Sequence, residues 1–193
     1  MTRRLVVITA ALTLLASTPA FAHLNPVEHG SLSAGLSHPF SGTDHILAMV
    51  GVGLWAALLG GRAIWAVPAA FLIAMMAGFA AALVGAPLPF VEPVIAASVV
   101  VLGLLALVAL QVPTYVGMAM VGFFALFHGY AHGGELGEAG ALPFMAGFAL
   151  ATAILHGIGV AIGLGAARFG GTLVTRLVGG LTALGGLWLF AGM

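Results

Sequence analysis

The sequence contains no cysteine. Disulfides, thiolate metal sites and cysteine nucleophiles are therefore excluded, and thiol usage gives no reading of redox compartment. Charge is almost as scarce: five basic and five acidic residues in 193, or 5%, against about 25% in soluble domains. With a net charge of zero, there is no basic face to attract nucleic acid or an anionic membrane surface. What remains is 62% hydrophobic, with a mean hydropathy of +1.23, which is the composition of a polytopic membrane protein whose principal partner is the lipid bilayer. Any metal it handles must be held by nitrogen, oxygen or thioether.

The opening stretch "MTRRLVVITAALTLLASTPAFA" sets Arg3 and Arg4 before an apolar run from Leu5 to Leu15, then small residues ending at Ala22. That order predicts a cleavable secretory signal over 1–22, and the apolar run is short of the ~20 residues that a span needs. Cleavage leaves His23 as an external N-terminus with a free amine beside its imidazole. The rest, 23–193, reads as one all-α domain. Its six transmembrane helices are expected at about Pro39 to Leu59, Ala63 to Val84, Pro93 to Leu110, Thr114 to His132, Leu142 to Ala166 and Leu173 to Ala191.

With the N-terminus outside, the joins after the first and fifth helices face the cytoplasm and hold Arg62, Arg168 and Arg176, as the positive-inside rule requires. The join at Gln111 adds no charge to this argument. This predicts a multi-pass membrane protein with its N-terminus outside the cytoplasm. The 29 glycines serve close helix packing in lipid, and "GYAHG" and "GVAIG" have small-xxx-small spacing. Such faces also suit homo-oligomerisation.

Ionisable side chains near hydrocarbon are costly and point to function. Here they gather at one depth. His38, Asp44 and His45 open the first helix, Glu92 opens the third, and His128, His132 and Glu135 close the fourth, all toward the external face. Glu28, His29 and Glu138 lie on the same side. In "FHGYAHGGE", offsets of 4 and 7 residues from His128 rotate by about 40° and about −20° at 100° per residue, so both imidazoles and the carboxylate share one stripe. In "HPFSGTDHILAM", His38 and His45 align in the same way, Asp44 sits alongside and Met49 follows one turn on. Pro39 suits a first helical turn, which places His38 just before the helix.

Imidazole and carboxylate are the ligand set of a borderline divalent ion, and six donors from two helices suit nickel or cobalt better than tetrahedral zinc. The competing reading for a lone interfacial histidine is a hydrogen-bonding residue, and for Glu92 it is an N-cap before Pro93. His156 is distinct. It lies about thirteen residues, or ~20 Å at 1.5 Å per residue, into the fifth helix, where it is either bonded to a neighbouring helix or a second stop on a path. Met49, Met75, Met76, Met118 and Met120 read as packing residues.

"HPFSGTDHILAMVGVGLW" and "FHGYAHGGE" resemble the two signature motifs of the HupE/UreJ family of nickel and cobalt permeases. "GFALATAILHGIG" is similar to that family's fifth helix, and the likeness covers the whole chain after the signal. The resemblance implies a secondary transporter, not an enzyme, that brings nickel or cobalt into a bacterium for hydrogenase, urease or cobalamin synthesis. By position, His38, Asp44 and His45 match the first motif, and His128, His132 and Glu135 match the second. Tyr130 departs from the pattern, standing where the family often has another histidine. This bears on the ligand count and leaves the stripe intact. Two other classes stay open at this point, an intramembrane metal-dependent hydrolase and a non-transporting metal sensor or assembly protein. Against the first, the sequence has no "HExxH" helix and no "GxSxG" elbow.

Overall fold

The structure is a computed structural model that describes residues 31–136, 140–169 and 171–192. The predicted signal, His23, Glu28, His29 and Glu138 lie outside the described residues. Among the described residues seven helices run in order: α1 (Leu32–Ser41), α2 (Thr43–Leu59), α3 (Ala63–Leu83), α4 (Val91–Val108), α5 (Thr114–Leu136), α6 (Ala141–Phe169) and α7 (Thr172–Ala191). Five are long and apolar enough to cross a membrane, and α1 with α2 makes a sixth when taken as one broken span. Large apolar side chains such as Ile73, Phe123, Leu150 and Leu184 are exposed on the outside of the bundle. This inverts the pattern of a water-soluble fold, as a lipid-facing surface requires.

The first span corrects the sequence reading. Instead of one helix starting at Pro39, the chain is helical from Leu32, where the Ser31 hydroxyl accepts the Ala34 N–H at 3.0 Å as an N-cap. It breaks at Gly42, and α1 and α2 meet at 86°. Two local features account for the break. The Ser41 hydroxyl donates to the His38 carbonyl at 2.6 Å, occupying an acceptor that a continuing helix would use, and Gly42 is extended (φ −100, ψ 121). A Cβ on Gly42 would lie 2.7 Å from Asp44 Oδ1 and 2.9 Å from His45 Nδ1, so only glycine lets that pair fold back over the break. His38 therefore sits in the last turn of α1, not ahead of a helix.

α2 touches every other helix, and its residues from Gly51 to Ala56 are buried on all sides, which fits a helix apolar all round at the centre of a bundle. Its far end is tied to the α4–α5 join: Trp55 Nε1–H donates to the Leu110 carbonyl at 3.0 Å and the Gln111 amide donates to the Leu58 carbonyl at 3.0 Å. Around α2 the helices form close pairs through glycine. α3 and α5 meet where Gly129 lies on the backbone of Met75 and Gly133 on that of Phe79. α2 and α6 meet where Gly53 lies on the backbone of His156 and Gly159 on that of Val50. The packing role predicted for "GYAHG" and "GVAIG" is thus what the structure displays.

Candidate metal site

The break at Gly42 turns α1 across the start of α2, and α5 continues to Leu136 beside them. Four of the predicted histidines consequently meet at one end of the bundle. Ring centroids are 4.6 Å apart for His45 and His132, 4.7 Å for His38 and His132, 5.3 Å for His45 and His128, and 6.4 Å for His38 and His45. His38 is half-buried, whereas His45, His128 and His132 are buried. Phe148 packs on three of them, with its ring centroid 4.6 Å from that of His132, and stacks at 6.0 Å on Phe144. Asp44, whose side chain is 32% exposed, joins the cluster to the surface.

The hydrogen bonds assign tautomers. His45 Nδ1 lies 3.1 Å from Asp44 Oδ1, so in a neutral ring it carries the proton and leaves Nε2 as an acceptor. His45 Nε2 is 2.6 Å from His132 Nε2, which makes His132 the donor. This is a carboxylate–imidazole orientation of the kind that supports metal-binding histidines, with Asp44 behind His45 and the Nε2 lone pair presented forward. A second anchor fixes His128. The Ser98 hydroxyl donates to the Ile95 carbonyl at 2.6 Å, so at 2.9 Å from His128 Nε2 its oxygen accepts the ring N–H. His128 Nδ1 is then a buried lone pair with no hydrogen-bond partner among the described residues.

Not every predicted residue is gathered. Glu92 is exposed in the first turn of α4, whose N-cap is Phe90 in the left-handed region (φ 62), so the expected N-cap role is replaced. It stands six residues, or about 9 Å at 1.5 Å per residue, along α4 from Ser98. Glu135 is in the last turn of α5, as the stripe requires, and its side chain lies outside the described residues. His156 is deep in α6, edge-on to Phe71 at 5.0 Å. Among the described residues, no three His, Asp or Glu side chains are arranged to hold a metal ion: the imidazoles are gathered but engage one another.

Sequence reasoning passed over Ser98, Phe71 and Phe148. Ser98 had a signal, since it is the one hydroxyl in the apolar run "VEPVIAASVVVLGLLALV". The two phenylalanines had none, because an aromatic in a lipid-facing helix looks the same from either side.

The arrangement can be set beside known proteins. Residues 10–189 match the profile of the HupE / UreJ protein family. The chain belongs to the HupE/UreJ family. Protein HupE of Rhizobium leguminosarum bv. viciae is 50% identical over 190 residues, which cover 96% of this chain and 97% of that protein. No solved structure matches. Relatedness over nearly the whole length means that the broken first span and the histidine-bearing helices all fall within the part this member shares with its relative.

Proposed function

We propose that this chain is a secondary transporter that moves nickel or cobalt ions across the bacterial inner membrane into the cytoplasm, with its histidine cluster as the capture site at the external face. The observation that carries this reading is the Asp44–His45–His132 chain of hydrogen bonds, with His38 and His128 packed around it in a bundle otherwise nearly free of charge. A cluster of this kind is expensive in lipid unless it serves an ion or a wet path.

One imidazole pair supports capture. Metal–imidazole nitrogen bonds of about 2.0–2.1 Å put two ligating nitrogens about 3 Å apart, and His45 Nε2 and His132 Nε2 stand at 2.6 Å. An arriving cation exchanges the hydrogen bond for two ligand bonds after a few tenths of an ångström of separation, the His132 proton passing from Nε2 to Nδ1 so that both rings remain neutral. Asp44 steadies the imidazole that stays. His38, from the side of α1, and Glu135, from the end of α5, complete the donor set, and Glu92 draws cations toward the mouth. Loose ligation by several groups favours passage over storage. The inside-negative potential contributes about 2.3 kcal/mol per charge per 100 mV, and about twice that for a divalent ion, so inward movement needs no ATP.

The test is flux of radioactive nickel into sealed proteoliposomes that contain only this protein. Wild type should accumulate the ion, and His132→Ala should lower uptake at trace concentration by at least about tenfold through loss of a central ligand. Undiminished uptake by a folded His132→Ala protein, or no flux through wild type, removes the proposal.

A further inference from the structure

His156 is 1% exposed, and neither of its ring nitrogens has a hydrogen-bond partner among the described residues. Buried polar groups are rarely left so, and a leucine would fill similar space without the cost. Packing alone therefore does not explain this residue, and its surroundings supply an alternative. Phe71, fully buried on α3, has its ring 5.9 Å from that of His128 and 5.0 Å from that of His156. His156 also backs a cleft of about 360 Å³ between α3 and α6, lined by Ile64, Pro68, Leu72 and Val160 and rimmed by the exposed Trp65 and Gly157, with its own ring nitrogens buried beneath. Ile64 lies in the first turn of α3, so the cleft runs toward the end of the bundle opposite the histidine cluster.

One turn from His156 on α6, the buried Thr152 hydroxyl donates to the Met75 sulfur at 3.8 Å, one turn from Phe71 on α3. The α3–α6 seam thus holds an imidazole, a hydroxyl and a thioether within one turn of one another.

We infer that His156 is a second, transient binding station for the transported cation, separated from the outer cluster by the Phe71 ring and lying against the cleft that runs toward the far end. The inference rests on the transport reading above and adds to it a site with a single protein imidazole. One such ligand holds a divalent ion loosely, which suits a station from which the ion must leave. Phe71 divides the route into two compartments, each with its own ligands.

The test uses the full chain in proteoliposomes and in detergent, with nickel as the probe. His156→Leu removes the donor and both unpaired nitrogens together, so the fold should be at least as heat-stable as wild type. Nickel binding by the outer cluster should stay within about twofold of wild type, while flux falls by about tenfold or more. His156→Cys, the only thiol in the chain, should carry cadmium faster than His156→Leu does, because a thiolate selects softer ions. A purely structural role would not produce that change of preference. Flux through His156→Leu within about twofold of wild type, loss of outer binding in that variant, or equal cadmium flux through the leucine and cysteine variants would each overturn the assignment. Failure of wild type to carry nickel at all would instead strike the transport reading on which it rests.

Discussion

Helix α3 has two unlike flanks. Toward α5, glycine meets backbone: Gly129 and Gly133 lie on the main chain of Met75 and Phe79, and Gly78 lies on that of Leu126. Toward α6 the contact is made by side chains, Phe71 on His156, Met75 on Thr152 and Phe79 stacked on Phe144 at 6.3 Å. Backbone contact admits one arrangement, because a glycine interface has no side chain that can turn aside. Side-chain contact admits several, since rotamers can change without moving the helix. The same helix thus meets one neighbour backbone to backbone and the other side chain to side chain, and Thr152 and His156 lie along the second seam.

Three substitutions test this contrast, in order of expected effect. Gly129→Val drives a branched side chain into the Met75 backbone. It should cost about 3 kcal/mol or more, visible as loss of the monodisperse protein in detergent; a stable Gly129→Val protein would show that α3 and α5 are not locked. Phe71→Leu, on the other flank, should cost only about 1 kcal/mol. Because the leucine is a smaller barrier, nickel flux should rise while binding by the outer cluster is unchanged. Slower flux in this variant would mean that Phe71 does not divide the route. Thr152→Val removes one weak bond to sulfur, and its melting temperature should fall by no more than the equivalent of about 0.5 kcal/mol. A large loss of stability there would make the seam as rigid as the glycine flank.

Much of the architecture could be read from the sequence because the hydrophobic runs have the length of a membrane, and the stripe of His128 and His132 emerged because α5 stays helical past them. The broken first span could not. "HPFSGTDH" has the Pro39 that begins many helices, and Gly42, one glycine among 29, has no sequence mark separating a helix break from a packing contact. Its role depends on Asp44 and His45 folding back over it. The inward faces were hidden for a different reason. In water, the polar side of a helix reveals which side is buried, but in lipid both sides are apolar, so Phe71 and Phe148 give no periodic contrast. Glu92 does open its helix, in the first turn of α4, and only the competing reading as a cap fails, because Phe90 takes that position in the left-handed region.

The right-angle turn at Gly42 means that His38 arrives on an arm lying crosswise to the helix that carries His45, with Leu32 and Phe40 of that arm exposed. That arm is itself seated on α6, where Gly35 lies on the backbone of Phe144 and Gly147 on that of Leu32 and Leu36, so the donor it carries is held as closely as the helix it crosses. The placing of His38 over the other imidazoles therefore depends on α6 as much as on the break, and a change at Gly35 or Gly147 would move an imidazole that neither residue touches.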